Sequence, residues 1–413
     1  MVAIPVPTLR PAVLDILSIG SFRRLWLSNG FTYMGLRVRE MAFAWLVLEM
    51  TGVNMWAGIV NGLPVFSVIL FSLVGGVLSD RADRRTVLAW TRLTMAALMF
   101  LTAFLVTTGA ISLWQVVLVS LVGGGVYAMD LPISRALIFD QVGKERLLRA
   151  TSLNSTLMDI GAIAGPWVAG MLIADVGVEA ALYLIGVTYT VAFAVLFFNR
   201  PPRRPVATER KATPVRTLFE GFAYIRRTPG VPRIVSLSAT VPLAGVFFSM
   251  LPIYARDILD VGAGGLGLMV AAYGIGALVG SVVMTAKGEI SRLGVAVGVS
   301  AAVYGVAMML FALTPTFEVA LTAMFVSGIA STFWKNSSSS LLQVSVAGEV
   351  RGRVMSVYGM GAQLPFGWLV GGLLSALIGN VATLLLAGVA MIALNAWVCA
   401  GTCRWDASRA ARS

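Results

Sequence analysis

The 413-residue chain contains no histidine. That excludes a histidine-based catalytic triad, a histidine-ligated metal and a histidine proton relay. Its only cysteines are Cys399 and Cys403, four apart near the C-terminus, and two such thiols neither make a zinc site nor imply a disulfide framework. Charge is scarce as well: Asp, Glu, Lys and Arg make up 12% of residues, against 58% apolar. Soluble domains carry about a quarter charged residues and use them to cover their outside. An ordinary cytosolic enzyme and a disordered chain are therefore both excluded. No Walker A sequence occurs, which argues against an ATP-driven pump contained in this chain. What remains is an all-α polytopic membrane protein. At roughly 22 residues per span, the length accommodates about 12 spans plus short loops.

Apolar stretches run near 24–49, 53–79, 87–108, 111–134, 151–174 and 179–198, and again near 234–255, 264–286, 293–313, 317–339, 354–378 and 381–401. Most are rich in Gly and Ala, as expected where helices pack in lipid. No series of alternating decamers is present, so an outer-membrane barrel is excluded. Of the 31 Lys and Arg residues, 28 fall on one side of these spans, Arg92 being counted with the loop after span 2. Arg256 alone lies opposite, and Arg37 and Arg39 lie inside span 1. The bias puts both termini and the central loop in the cytoplasm. The net charge of +12 is then a topological address with attraction to anionic lipid, and no nucleic-acid partner is expected. Residues 1–20 lack an A-x-A site and a charged start before a short apolar core, so no cleavable signal peptide is expected. The stretch 11–20 is either interfacial or an unstructured tail.

The polar, proline-rich segment 199–233 divides six spans from six. The expected organisation is a cytoplasmic N-terminal segment 1–23, a six-helix bundle 24–198, a cytoplasmic linker 199–233, a second bundle 234–401 and a tail 402–413. The halves resemble each other. Glu145, Arg149 and Ser152 recur as Glu349, Arg353 and Ser356, and Gly165-Pro-Trp-Val-Ala-Gly170 recurs as Gly367-Trp-Leu-Val-Gly-Gly372. Parallel six-span repeats are a transporter architecture with substrate bound between the halves.

Gly76-Val-Leu-Ser-Asp80-Arg-Ala-Asp-Arg84-Arg85 leaves span 2 for the loop before span 3. Gly76 permits close backbone approach, and an acid at the membrane exit can pair with Arg84 or meet a helix N-terminus. This stretch resembles motif A of the major facilitator superfamily, in the same loop. Gly161-Ala-Ile-Ala-Gly165-Pro166-Trp-Val-Ala-Gly170 resembles its motif C, associated with exporting antiporters. Phe22-Arg-Arg-Leu-Trp26 and Ala44-Trp-Leu-Val-Leu-Glu-Met-Thr-Gly52 are similar to the subgroup containing siderophore and macrolide exporters. The resemblance implies 12 transmembrane helices in two six-helix bundles, the major facilitator fold. It also implies a gating latch of Gly76, Asp80 and Arg84 with Asp130 linked to Arg84, stabilising the outward-facing state, and close packing at Gly161, Gly165, Pro166 and Gly170.

Within span 1, Asn29, Tyr33, Arg37 and Glu40 fall within roughly an 80° arc of a helix. Each charge would cost about 2.5–3.5 kcal/mol near the bilayer centre, so the stripe should face protein or water. It is either a cavity wall, with Glu40 carrying a proton and Arg37 tuning it or binding an anionic group, or a structural i,i+3 ion pair. Asp159 in span 5 is a second buried acid, suited either to proton coupling or to a helix–helix hydrogen bond. Phe247, Phe248, Met250 and Tyr254 fit ordinary packing better than a lipophilic pocket, and Trp334 reads as an interface anchor. Gly262–Gly267 matches the dinucleotide pattern G-x-G-x-x-G with no strand before it. Asn154-Ser-Thr is not expected to be glycosylated, lying inside a span.

The expected function is secondary transport: proton-coupled efflux of a small amphipathic or lipophilic compound, drug- or siderophore-like, by alternating access through a central cavity. The alternatives are an importer or facilitator, or a lipid flippase, on the same fold. The expected partners are the small-molecule substrate, protons and the bilayer, with no cofactor, no metal and no enzymatic activity. A monomer in the bacterial inner membrane is expected.

Overall fold

Hydrocarbon offers the backbone no hydrogen-bond partner, so a chain this apolar must satisfy its N–H and C=O groups within its own segments. The computed structural model describes residues 15–64, 66, 67, 71, 83–198, 222–228, 230–287, 292–314, 316–361 and 364–410. Among them every regular element is helical and no strand occurs. We label α1 Gly20–Thr51, α2 Asn54–Gly62 and α3 Arg84–Thr107. Leu113–Asp175 is assigned as one helix but breaks at Gly143 (φ 72°, ψ 178°), and is α4 before the break and α5 after it. That backbone conformation is open essentially to glycine alone. There follow α6 Val178–Phe197, α7 Val231–Ile258, α8 Gly262–Lys287, α9 Leu293–Leu313, α10 Phe317–Ser345, α11 in two described segments, Gly348–Gly361 and Leu364–Ile378, and α12 Asn380–Ala410. Nine helices among the described residues are long and apolar enough to cross a membrane, the unbroken count of Leu113–Asp175 being one of them. The 32 residues of α1 are long enough too, but carry Arg37, Arg39 and Glu40. Gly262–Gly267 opens α8 and is thus helical.

Two compact units form, one of Met1–Leu46 with Leu63–Val206, the other of Val47–Gly62 with Ala207–Ser413. The span pattern assigns 47–62 to the first bundle, whereas in the structure they pack with the second unit. In the first unit, Ile16, Phe22 and Leu25 are buried with Leu88, Ile133, Leu137 and Leu196. Residues from 15 onward are therefore docked rather than a free tail, and Asp15 lies 3.5 Å from Arg146. Arg24 donates to the Phe198 carbonyl at 2.8 Å, and Arg85 donates to the carbonyls of Leu196 and Phe197. Two guanidinium groups thus satisfy the orphan carbonyls at the end of α6 and complement its dipole.

The second unit has an aromatic core. Phe247 stacks edge-on against Phe311 and Tyr304, with ring centroids 5.0 and 6.1 Å apart. Phe247, Met250 and Tyr254 are fully buried, in keeping with packing. Trp334 is fully buried beside Tyr304 as well, so it is a core residue and not an interface anchor. Its ring fills a gap between helices instead of reaching headgroups. Glycines set the closest crossings. A Cβ on Gly58 of α2 would lie 2.5 Å from the Trp368 carbonyl of α11, and one on Gly367 would overlap the Pro242 carbonyl of α7.

Candidate functional site

The site begins with α1, which is held against α5 and α6 by missing side chains. A Cβ on Gly161 of α5 would stand 3.3 Å from the Tyr33 backbone, and one on Gly165 would stand 2.6 Å from Arg37 Cβ. From the other side, a Cβ on Gly35 would meet Thr188 at 2.6 Å and Tyr189 at 3.0 Å. Gly161, Gly165, Pro166 and Gly170 are all buried within α5. The glycine spacing of four keeps one smooth strip against the polar stripe of α1. In the second unit Gly367, the repeat partner of Gly165, makes the same kind of approach to α7.

The lower part of the stripe enters a buried hydrogen-bond network. Its centre is Arg92 of α3, whose side chain is 0% exposed; Asp130 of α4 is 11% exposed and faces it with Nε–Oδ2 at 3.4 Å. Arg92 also donates to Ser28 Oγ, and through Nη2 to Asn29 Oδ1 at 2.6 Å. Ser134 donates to the same Asn29 oxygen at 3.1 Å, and Thr91 donates to Asp130 at 3.2 Å. Asn29 Nδ2 donates to Asn154 Oδ1 at 2.8 Å, and Asn154 Nδ2 donates to the Tyr33 hydroxyl at 2.9 Å. Four helices, α1, α3, α4 and α5, are tied together. One positive and one negative charge neutralise each other, and the amides and hydroxyls fill the remaining lone pairs, which a buried ion pair requires. Removing the outermost link should cost little: Tyr33→Phe is expected to lower stability by about 0.5–1.5 kcal/mol, read as a small shift in the melting temperature of the purified protein.

Further along the stripe, Arg37 Nη1 lies 2.8 Å from Glu40 Oε2, and the two side chains are 32% and 39% exposed. Tyr127 and Asp159 lie within electrostatic reach of Arg37. Asp159 is exposed, which corrects the expectation of a buried acid: its place on α5 lies off the glycine strip that packs on α1. Arg39 points away from the pair and is buried, 5.7 Å from the Phe43 ring centroid. Its Nε is unpartnered among the described residues. Arg39 and Asp130 both line a small cavity of about 10 Å³ with Thr32, Tyr127 and Tyr189, room for about one water. Among the described residues no group of three acidic or thiol side chains could hold a metal ion.

A family model described as transmembrane secretion effector matches residues 12–409, nearly the whole chain. The chain belongs to the transmembrane secretion effector family of major facilitator transporters. This secretion-effector chain is 24% identical over 327 residues to the enterobactin exporter EntS of Salmonella typhimurium, covering 79% of this chain and 77% of the relative. It is equally similar, at 24%, to the enterobactin exporter EntS of Escherichia coli strain HS, covering 79% and 76%. Its fold matches the nucleoside transporter NupG with a TM-score of 0.70 at 15% identity, over 92% of this chain and 99% of that one. It also matches a bacterial homologue of the human lysosomal transporter Spinster with a TM-score of 0.71 at 13% identity, over 95% and 98%. The protein is thus a multi-pass membrane transporter, with transporters and not enzymes as its relatives.

Within this secretion-effector fold the motif A residues separate. Gly76 and Asp80 lie outside the described residues. Arg84 does not link to Asp130; it pairs with Asp140 of α4 at 2.8 Å. Arg84 opens α3 and Asp140 is near the end of α4, whereas Asp130 lies almost three turns deeper and takes Arg92 instead. Arg92 was the residue the charge pattern misplaced. It is no loop residue, and its position five residues inside the 87–108 stretch was the available signal. Asn154 was likewise visible as a polar residue inside span 5, but nothing in one dimension paired it with Asn29.

Proposed function

We propose that the protein exports a small amphipathic compound across the bacterial inner membrane in exchange for protons, by alternating access on a twelve-span fold with both termini cytoplasmic. The observation that carries this reading is the Arg37–Glu40 pair. An ion pair only one-third exposed, partway along a membrane helix, is costly to maintain, and it is held where α1 meets the motif C glycines of α5. The ionised Glu40 carboxylate accepts a hydroxyl or cationic donor of the cargo, while Arg37 has Asp159 and Tyr127 within reach as alternative partners. Protonation of Glu40 removes that acceptor and displaces the cargo group. Loss of the proton restores it. Opposite occupancy by proton and cargo is what exchange needs. The enterobactin exporters among the relatives support a siderophore-like cargo and the outward direction.

Purified protein in sealed vesicles with an imposed pH gradient tests this reading. The wild type is expected to accumulate a catecholate siderophore or a macrolide on the side from which protons flow. The Glu40→Gln, Asp159→Asn double variant is expected to lose gradient-driven accumulation while keeping counterflow exchange. Unchanged gradient-driven transport by the double variant would sink proton coupling through these acids. Absence of movement of any candidate under any gradient would sink export itself.

A further inference from the structure

A groove of about 500 Å³ runs between α9 and α10 of the second unit. On α9 it is lined by Ala302, Val306, Ala307 and Leu310, and on α10 by Glu318, Thr322, Ala323 and Val326. The spacings of four, five and eight from the first residue along each helix mark one face of each. Small side chains open the groove: Ala307 and Ala323 are buried, while Val306 and Leu310 are exposed along its wall. The groove extends eight residues along each helix, about 12 Å, close to the roughly 15 Å depth of one hydrocarbon leaflet.

Its single charged group stands at one end. Glu318 is exposed in the first turn of α10, and no cation pairs with it among the described residues. The Thr322 hydroxyl is already turned back to the Glu318 carbonyl at 2.9 Å, so the carboxylate is the one ionic feature on an otherwise apolar surface. The arrangement has the dimensions and polarity of a lipid: an apolar slot one leaflet deep, with an acid at headgroup level. A carboxylate there attracts an ammonium by a charge-assisted hydrogen bond and repels an anionic headgroup.

We infer that this groove is a specific site for one phospholipid with a primary ammonium headgroup, its acyl chain lying between α9 and α10 and its ammonium on Glu318. The site is built within one unit and does not depend on the direction or coupling of transport.

The full-length protein in nanodiscs of equal phosphatidylethanolamine and phosphatidylglycerol tests this, with retained lipid read by native mass spectrometry after gentle release. The wild type is expected to retain one phosphatidylethanolamine in preference to phosphatidylglycerol. Glu318→Gln should reduce that preference about tenfold, and Glu318→Asp should keep it. Val306→Trp, a change on an exposed wall, should expel the bound lipid of either kind while the melting temperature stays near the wild-type value. Equal preference in the wild type and Glu318→Gln overturns the inference. So does a bound lipid that survives Val306→Trp, or a lipid-free dimer in the wild-type spectrum.

Discussion

Asp130→Asn is expected to destabilise the protein by about 3–5 kcal/mol, because it strands the Arg92 charge in an interior with no other carboxylate partner among the described residues. The Arg92 side chain is fully buried and, among the described residues, its one ion pair is with Asp130. Its remaining contacts, Ser28 and Asn29, are neutral and already shared with other groups. For a unit of this size the loss corresponds to a fall on the order of 10 °C in melting temperature, measured on purified protein in one detergent. Asp130→Asn combined with Arg92→Met should recover much of it, since removing both charges avoids the desolvation penalty that removing one creates. A single Asp130→Asn variant melting within about a degree of wild type would mean that Arg92 finds another anion or water. Arg84→Gln should do much less, because its pair with Asp140 is partly exposed and surface pairs contribute about 0–1 kcal/mol.

Gly165→Val is expected to abolish transport while the chain still inserts. The first atom of the new side chain would lie 2.6 Å from Arg37 Cβ, with the Met34 carbonyl and Val38 nitrogen each 3.4 Å away. Neither backbone can yield without moving α1. Overpacking of this kind costs about 1–3 kcal/mol, but its functional effect should be larger, since a shift of about 1 Å in a functional group is enough to reduce a rate by two orders of magnitude. The displaced groups are Arg37 and, through it, Glu40. Initial transport rates in vesicles of matched protein content check this, with Gly352→Ala as control. A Cβ on Gly352 meets nothing within 4 Å, and its variant should transport normally. Wild-type rates in Gly165→Val would mean that α1 and α5 do not need this separation.

Much of the site could be read in one dimension. Asn29, Tyr33, Arg37 and Glu40 are the polar positions of an apolar helix at helical spacing, and a charged stripe inside a span must meet protein or water. The motif C glycines were readable for a similar reason, since small residues four apart mark a close helix crossing. The partners were not readable. Arg92 was counted with a loop because hydropathy locates a span edge only to within a few residues, and Asp130 was matched to Arg84 by motif rather than by depth. Asp159 looked buried because a span is apolar overall, but which side of a helix faces protein is set by its rotation against neighbours.

The amino-acid sequence by itself determined that this is a helical membrane protein and a transporter by family. Bilayer thickness and backbone hydrogen bonding leave a chain of this apolarity almost no other solution, and family motifs are local strings. Only the tertiary structure decided which distant charges neutralise each other: Arg92 with Asp130 and Arg84 with Asp140. Coulomb attraction and hydrogen bonding act over a few ångströms, whereas these helices come from positions up to 125 residues apart, as with Asn29 and Asn154. Depth and rotation of each helix choose the partner, and both are products of packing.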